Sequence, residues 1–263
     1  MKHDISTLEY VCYNILGNGH IVQERIYPTM LENNYSASYG VSGLNAFLTK
    51  VFTKMGLGLF VTAAVAAIGY YTGFYMNFIR VTGMFGTLGL VIAQVAIVIS
   101  LTRRMNSMDS SKTNLLFFAY SALTGFTFSV LLYAYDLGTI FGAFGFTAIL
   151  FISMAIIGHT TDKDLSKFST LFMGGLIALV IATLVSSFIP VLRNSLILSY
   201  VGILLFLGIT AWDMQRIKTI YYQTGGVGAL GENLAVFGAM ELYLDFINIF
   251  LYVLEVLGRR SND

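Results

Sequence analysis

Asp213, Glu241, Asp245 and Glu255 are the residues of this chain best placed to do chemistry, because all four carboxylates sit in or against long apolar runs near its carboxyl end. A carboxylate in hydrocarbon costs several kcal/mol unless it is protonated, paired or wetted, so such a group is a functional candidate by default. Asp213 ends one apolar run in Ala211-Trp-Asp-Met-Gln-Arg-Ile-Lys218, and Asp245 sits midway through the next, roughly 18 Å from either end at 1.5 Å per residue. At 100° per residue Glu241 and Asp245 differ by about 40° and share a helix face. Asn248, three residues beyond Asp245, turns toward the same side, whereas Glu255 is about 80° off that face and about 15 Å further along. If Asp213 and Asp245 approach each other, one proton can bridge them, and its loss leaves two repelling carboxylates that must separate, take up a cation or recruit a basic side chain. Arg103 and Arg104 are the natural basic candidates, with plain anchoring at the membrane surface as the alternative. Paired carboxylates suit calcium, a hard cation, better than any soft metal. Two readings stay open for Asp213, half of this pair or an interfacial acid paired with Arg216. Glu255 reads as a group snorkelling to the headgroups.

The elements that must position these acids follow from composition. Of 263 residues, 56% are hydrophobic and 11% charged, less than half the charged share of a soluble domain. Charge-free gaps of spanning length recur from Lys54 to Arg80, Arg80 to Arg103, Lys112 to Asp136, Asp136 to His159, Lys167 to Arg193 and Arg193 to Asp213. A seventh apolar segment, about Leu234 to Leu257, carries the acids. Backbone crossing lipid must satisfy its own hydrogen bonds, and these runs lack strand alternation, so the fold expected is an all-α integral membrane bundle of seven helices. Gly83, Gly86 and Gly89, and Ala63, Ala64 and Ala67, are expected at close helix contacts.

With the amino terminus in the cytoplasm, Lys2, Arg25, Lys50, Lys54, Arg103, Arg104, Lys112, Lys163, Lys167, Arg216 and Lys218 fall inside. Arg80, Arg193, Arg259 and Arg260 fall outside, the bias that topology demands. A seventh segment that dips in and returns is the alternative, and would place both termini inside. Residues 1–45 read as a polar cytoplasmic extension without a secretory signal, and 46–263 as the membrane domain.

Other chemistries find little support. A net charge of +1 without a basic stripe argues against nucleic acid, and a lone Cys12 leaves no disulfide or zinc pair. His3, His20 and His159 are scattered, without metal-ligand spacing. GxGxxG at Gly226, Gly228 and Gly231 follows a membrane span, not a strand, and reads as a loop. With no GxSxG and no Gly-x-Gly-Asp around either aspartate, no enzyme and no cofactor are expected.

Leu242-Tyr-Leu-Asp-Phe-Ile-Asn-Ile-Phe250 together with Ala211–Lys218 resembles the Bax inhibitor-1 family of transmembrane Bax inhibitor motif proteins, in its bacterial branch. Ala122-Leu-Thr-Gly125 and Lys163-Asp-Leu-Ser166 fit as well, so the resemblance runs from about Asn45 to the end. It implies a central seventh helix wrapped by six others and a pH-sensitive calcium leak in a bacterial inner membrane. It also implies that Asp213 and Asp245 are the proton sensor and transient calcium site, and that Arg103 or Arg104 engages them. Where some relatives carry a further acid in the second span, this chain offers Gln94. Two other functions fit the sequence, a membrane-embedded regulator bound to a quality-control protease or another membrane protein, and a proton-coupled cation exchanger.

Overall fold

The computed structural model describes residues 30–103, 109–188, 196–224 and 228–260. The chain divides into two units, 1–43 and 44–263; of the first, residues 30–43 are described and are helical. Among the described residues there is helix and no strand. Seven helical segments are long and apolar enough to cross a membrane: Gly43–Tyr71, Phe74–Arg103, Ser110–Ala134, Leu137–Thr160, Leu165–Ser186, Ile197–Thr224 and Leu230–Arg259, called here the first to seventh spans. The protein is therefore an all-α integral membrane protein.

Three helix starts are marked by acids. Asp109 caps the third span through Lys112 N, Asp136 caps the fourth through Thr139 N, and Asp164 holds Ser166 N ahead of the fifth. Each supplies an acceptor to a backbone N–H that the helix itself leaves unpaired. Within the spans, hydroxyls such as Thr82, Ser153 and Thr210 donate to the carbonyl four residues earlier, which hides them from lipid. Gly83 breaks the second span with φ +58° and ψ −141°, a conformation open to glycine but strained for other residues.

Charge gaps misplaced several boundaries: Arg80 lies inside the second span, and the sixth runs on past Asp213 to Thr224. The first span begins before Lys50 and Lys54, and Lys54 is satisfied inside the protein by Glu232 (2.6 Å) and Asn114 (2.6 Å) instead of marking the water interface. The glycines also act elsewhere than expected. A Cβ on Gly83 or Gly89 would meet nothing within 4 Å, the atoms nearest one on Gly86 belong to Thr82 and Phe78 of its own helix, and Ala63 is exposed. Close helix contact instead uses Gly125 against the Thr62 backbone and Gly158 against the Ala211 backbone. Pro190, Arg193, Arg260 and the tail residues Cys12, His3 and His20 lie outside the residues whose side chains are described.

The seventh helix is unbroken from Gly228 to Arg260, so it does not dip and return. Ala235, Ala239, Leu242, Phe246, Ile249 and Val253 recur at alternating steps of four and three and are all buried, the pattern that seats one helix against others. A parallel stripe at the same steps, Glu241, Asp245, Asn248, Tyr252 and Glu255, is polar. The seventh span packs against the third, fourth and sixth.

Candidate functional site

The polar stripe of the seventh helix faces the sixth. On the sixth helix Ile209, Asp213 and Ile217, with Thr210 and Met214 beside them, form the buried face, so Asp213 is carried inward by the same periodicity that buries its apolar neighbours. Asp213 and Asp245 are both buried, 7% and 3% exposed. They line one cleft of about 570 Å³ between the fifth, sixth and seventh spans, together with Glu241, Asn248 and Arg216. The charges of Asp213 and Glu241 both bear on Asp245, and Thr210 lies beside the Asp245 carboxyl. Oδ2 of Asp245 and Oε2 of Glu241 are buried and have no hydrogen-bond partner among the described residues. Leaving such acceptors unpaired costs about 1–3 kcal/mol each, a penalty that a protein carries when the groups serve a purpose.

Among the described residues the basic partner of this cluster is Arg216. Its Nη1 is 2.8 Å from Glu241 Oε1, and its guanidinium carbon lies 5.7 Å from the Trp212 ring centre and 5.8 Å from that of Phe237. Two aromatic faces and a carboxylate thus hold the arginine at the rim of the cleft. Asp213 influences the same arginine electrostatically, but the ion pair is to Glu241. Arg103 is exposed and forms no ion pair among the described residues, and Arg104 lies outside them. The sequence could not place Arg216 on Glu241, because the contact joins two helices across 25 positions of chain.

Asn248 turns to the cleft, with Nδ2 committed to Leu244 O at 2.7 Å. Glu255 accepts from Ser199 Oγ at 2.7 Å and from Arg259 at 2.6 Å, so it ties the two helices together at the far end. Gln94 donates to Thr124 Oγ1 at 3.2 Å and bonds the second span to the third. Among the described residues no three His, Cys, Asp or Glu side chains converge so as to hold a metal ion.

One polar knot escaped the sequence reading altogether. Tyr243 is fully buried, and its hydroxyl lies 2.7 Å from Thr62 Oγ1, which is also within reach of Gly58 O and Ser121 O. A single hydroxyl hydrogen on Thr62 serves one carbonyl at a time, so Tyr243 is the donor to Thr62 whenever Thr62 donates onward. The knot joins the first, third and seventh spans and fixes the rotation of the helix that bears the acids.

A seven-span bundle with buried acids on its last two spans defines a class of polytopic membrane protein, and sequence comparison narrows it. The profile of the family described as "Inhibitor of apoptosis-promoting Bax1" matches residues 44–262, and the chain belongs to that family. The inner membrane protein YbhL of Escherichia coli K12 is 35% identical over 221 residues, covering 83% of this chain and 94% of YbhL. A protein of Borreliella burgdorferi is 35% identical over 219 residues, covering 83% and 94%. A membrane protein of Streptococcus pyogenes serotype M1 is 34% identical over 220 residues, covering 83% and 95%.

Proposed function

We propose that this protein is a pH-sensitive calcium leak channel of a bacterial inner membrane, with its amino terminus in the cytoplasm, gated by a proton held between Asp213 and Asp245. The reading rests on one observation: two buried carboxylates from consecutive spans line the same cleft, and one oxygen of Asp245 has no partner among the described residues. When a proton bridges the pair, the two helices are held together; when it leaves, like charges in a low-dielectric setting repel. Glu241 and Arg216 set the threshold, since the arginine offsets one negative charge at the rim and can lean toward Asp213 when Glu241 takes a proton. Separation of the sixth and seventh helices opens a path lined by carboxylate oxygen, the ligand type that calcium accepts. The transient cation site is Asp213 and Asp245 themselves.

Calcium entry into proteoliposomes, measured from alkaline to mildly acidic pH, tests this. The wild-type protein is expected to pass calcium at a rate that changes with pH, and Asp245→Asn to lose that dependence. A variant indistinguishable from wild type removes the sensor role, and no calcium entry at any pH removes the leak.

A further inference from the structure

The cleft that holds the acids has too few ligands to retain a calcium ion, which suits transient passage, but enough acceptors to hold an ammonium group on an apolar body. Calcium asks for about six to eight oxygen ligands, and no three metal-ligating side chains converge among the described residues. Apart from Thr183 and Arg216, whose charge is tied to Glu241 at the rim, the remaining walls are apolar and aromatic: Phe172, Leu179, Phe206, Trp212 and Tyr252 among them. An ammonium is satisfied by a few acceptors and by aromatic faces, which attract cations through their ring quadrupoles. Acceptors are what the cleft has to spare. Oδ2 of Asp245 has no partner among the described residues, and the residue is 3% exposed; Asn248, whose Nδ2 gives one of its two hydrogens to Leu244 O, adds a carbonyl oxygen as a further acceptor.

Access fits as well. Met173, Val180 and Leu184 of the fifth span line the cleft and are 54%, 52% and 60% exposed, so its outer wall faces the hydrocarbon. Asp245 lies 15 residues after Leu230 and 14 before Arg259, roughly 20 Å from either end of its span at 1.5 Å per residue. A phospholipid headgroup held at the bilayer surface does not descend that far, whereas a single-chain amine can slide inward with its tail in lipid.

We propose that the cleft between the fifth, sixth and seventh spans binds a single-chain amphiphilic amine from the membrane, its ammonium paired with Asp245 and Asp213 and its chain along the fifth-span wall. This goes beyond the leak proposed above and does not depend on calcium movement.

Trp212, the sole tryptophan of the chain, lines the cleft and reports occupancy directly. The protein in phosphatidylcholine vesicles is titrated with a bromine-bearing dodecylamine and with the alcohol of the same chain, following quenching of Trp212. The amine is expected to quench saturably at a concentration roughly tenfold or more below the alcohol, as a charge-assisted contact requires. Asp245→Asn should erase the difference. Thr183→Phe, which narrows the cleft without touching an acid, should weaken amine quenching while the Trp212 emission of the unliganded protein stays that of wild type. Equal quenching by amine and alcohol, or an unchanged advantage of the amine in both variants, overturns the proposal. So does loss of amine quenching in phosphatidylethanolamine vesicles, which would give the site to a lipid headgroup. Calcium flux plays no part in this readout, so a silent channel with saturable amine quenching sinks only the leak, and a pH-gated leak without amine selectivity sinks only the amine site.

Discussion

The second and seventh spans are both about 30 residues of mostly apolar sequence, yet 78% of the seventh's most apolar stretch is buried and only 6% of the second's. Val81, Met84 and Phe85 of the second are 78%, 84% and 87% exposed, and on the seventh Ala235, Leu242, Tyr243 and Ile249 are wholly buried. Lipid is as apolar as leucine, so apolarity alone does not decide which helix goes inside. Shape and hydrogen bonding decide. The seventh span combines one stripe of packing residues with a second stripe of polar groups that lipid cannot solvate, whereas the second offers bulky side chains that lipid solvates equally well.

Mutations that confuse the two environments should have the largest effects. Gly158 and Gly125 lie where a Cβ would collide with the backbone of Ala211 and Thr62, so Gly158→Leu is expected to destabilise the protein by about 3 kcal/mol or to prevent its folding. Gly89 of the second span has open space, and Gly89→Ala should be neutral or stabilising by up to about 1 kcal/mol. Thermal unfolding in one detergent compares them, and equal losses would erase the contrast.

Next is Arg216→Ala. It strands Glu241 beside two other acids, and the expected loss is about 1–2 kcal/mol, less than for a fully buried pair because the arginine side chain is 42% exposed. Arg103→Ala, at the exposed end of the second span, should change stability by less than about 0.5 kcal/mol. A larger effect for Arg103 than for Arg216 would favour the arginine pairing that the family resemblance implies.

Tyr243→Phe removes the hydroxyl that reaches Thr62 and should cost about 1 kcal/mol, read by the same unfolding measurement, since Thr62 keeps its carbonyl partners. The smallest effect lies in the fourth-span cap. Hydrogen bonds from Thr139 hold the Asp136 carboxyl below the usual range. A lowered folded-state value means the cap contributes fully above the unfolded value of about 3.9 and fades as pH falls through the folded one. Asp136→Ala is thus expected to lower the melting temperature slightly at neutral pH and not at all in strong acid. A difference that persists unchanged in acid contradicts the assignment.

Much of this was legible in the sequence. Length and charge spacing gave seven helices, because lipid leaves the backbone few options, and Asp245 announced itself as an acid in the middle of a span. Asn248 and Glu241 followed from helical periodicity. What periodicity cannot give is which helices meet. Lys54 read as a boundary because a charge in a span is costly, and only the fold supplies Glu232 and Asn114 to offset that cost. Arg216 was seen as a neighbour of Asp213 along its own helix, while its ion pair lies across to Glu241. Tyr243 and Thr62 looked like ordinary span residues until the packing placed them together. Glycines were misread for the same reason: spacing shows that a helix has a smooth face, but not whether another helix lies on it.

The account stands on a proton common to Asp213 and Asp245, and infrared difference spectroscopy of the protein between alkaline and mildly acidic pH observes that proton directly. A shared proton predicts a protonated-carboxyl band, separate from any band of Glu241, that disappears in Asp213→Asn and in Asp245→Asn alike. Two bands, each removed by only one of the substitutions, would show two acids titrating separately and contradict it.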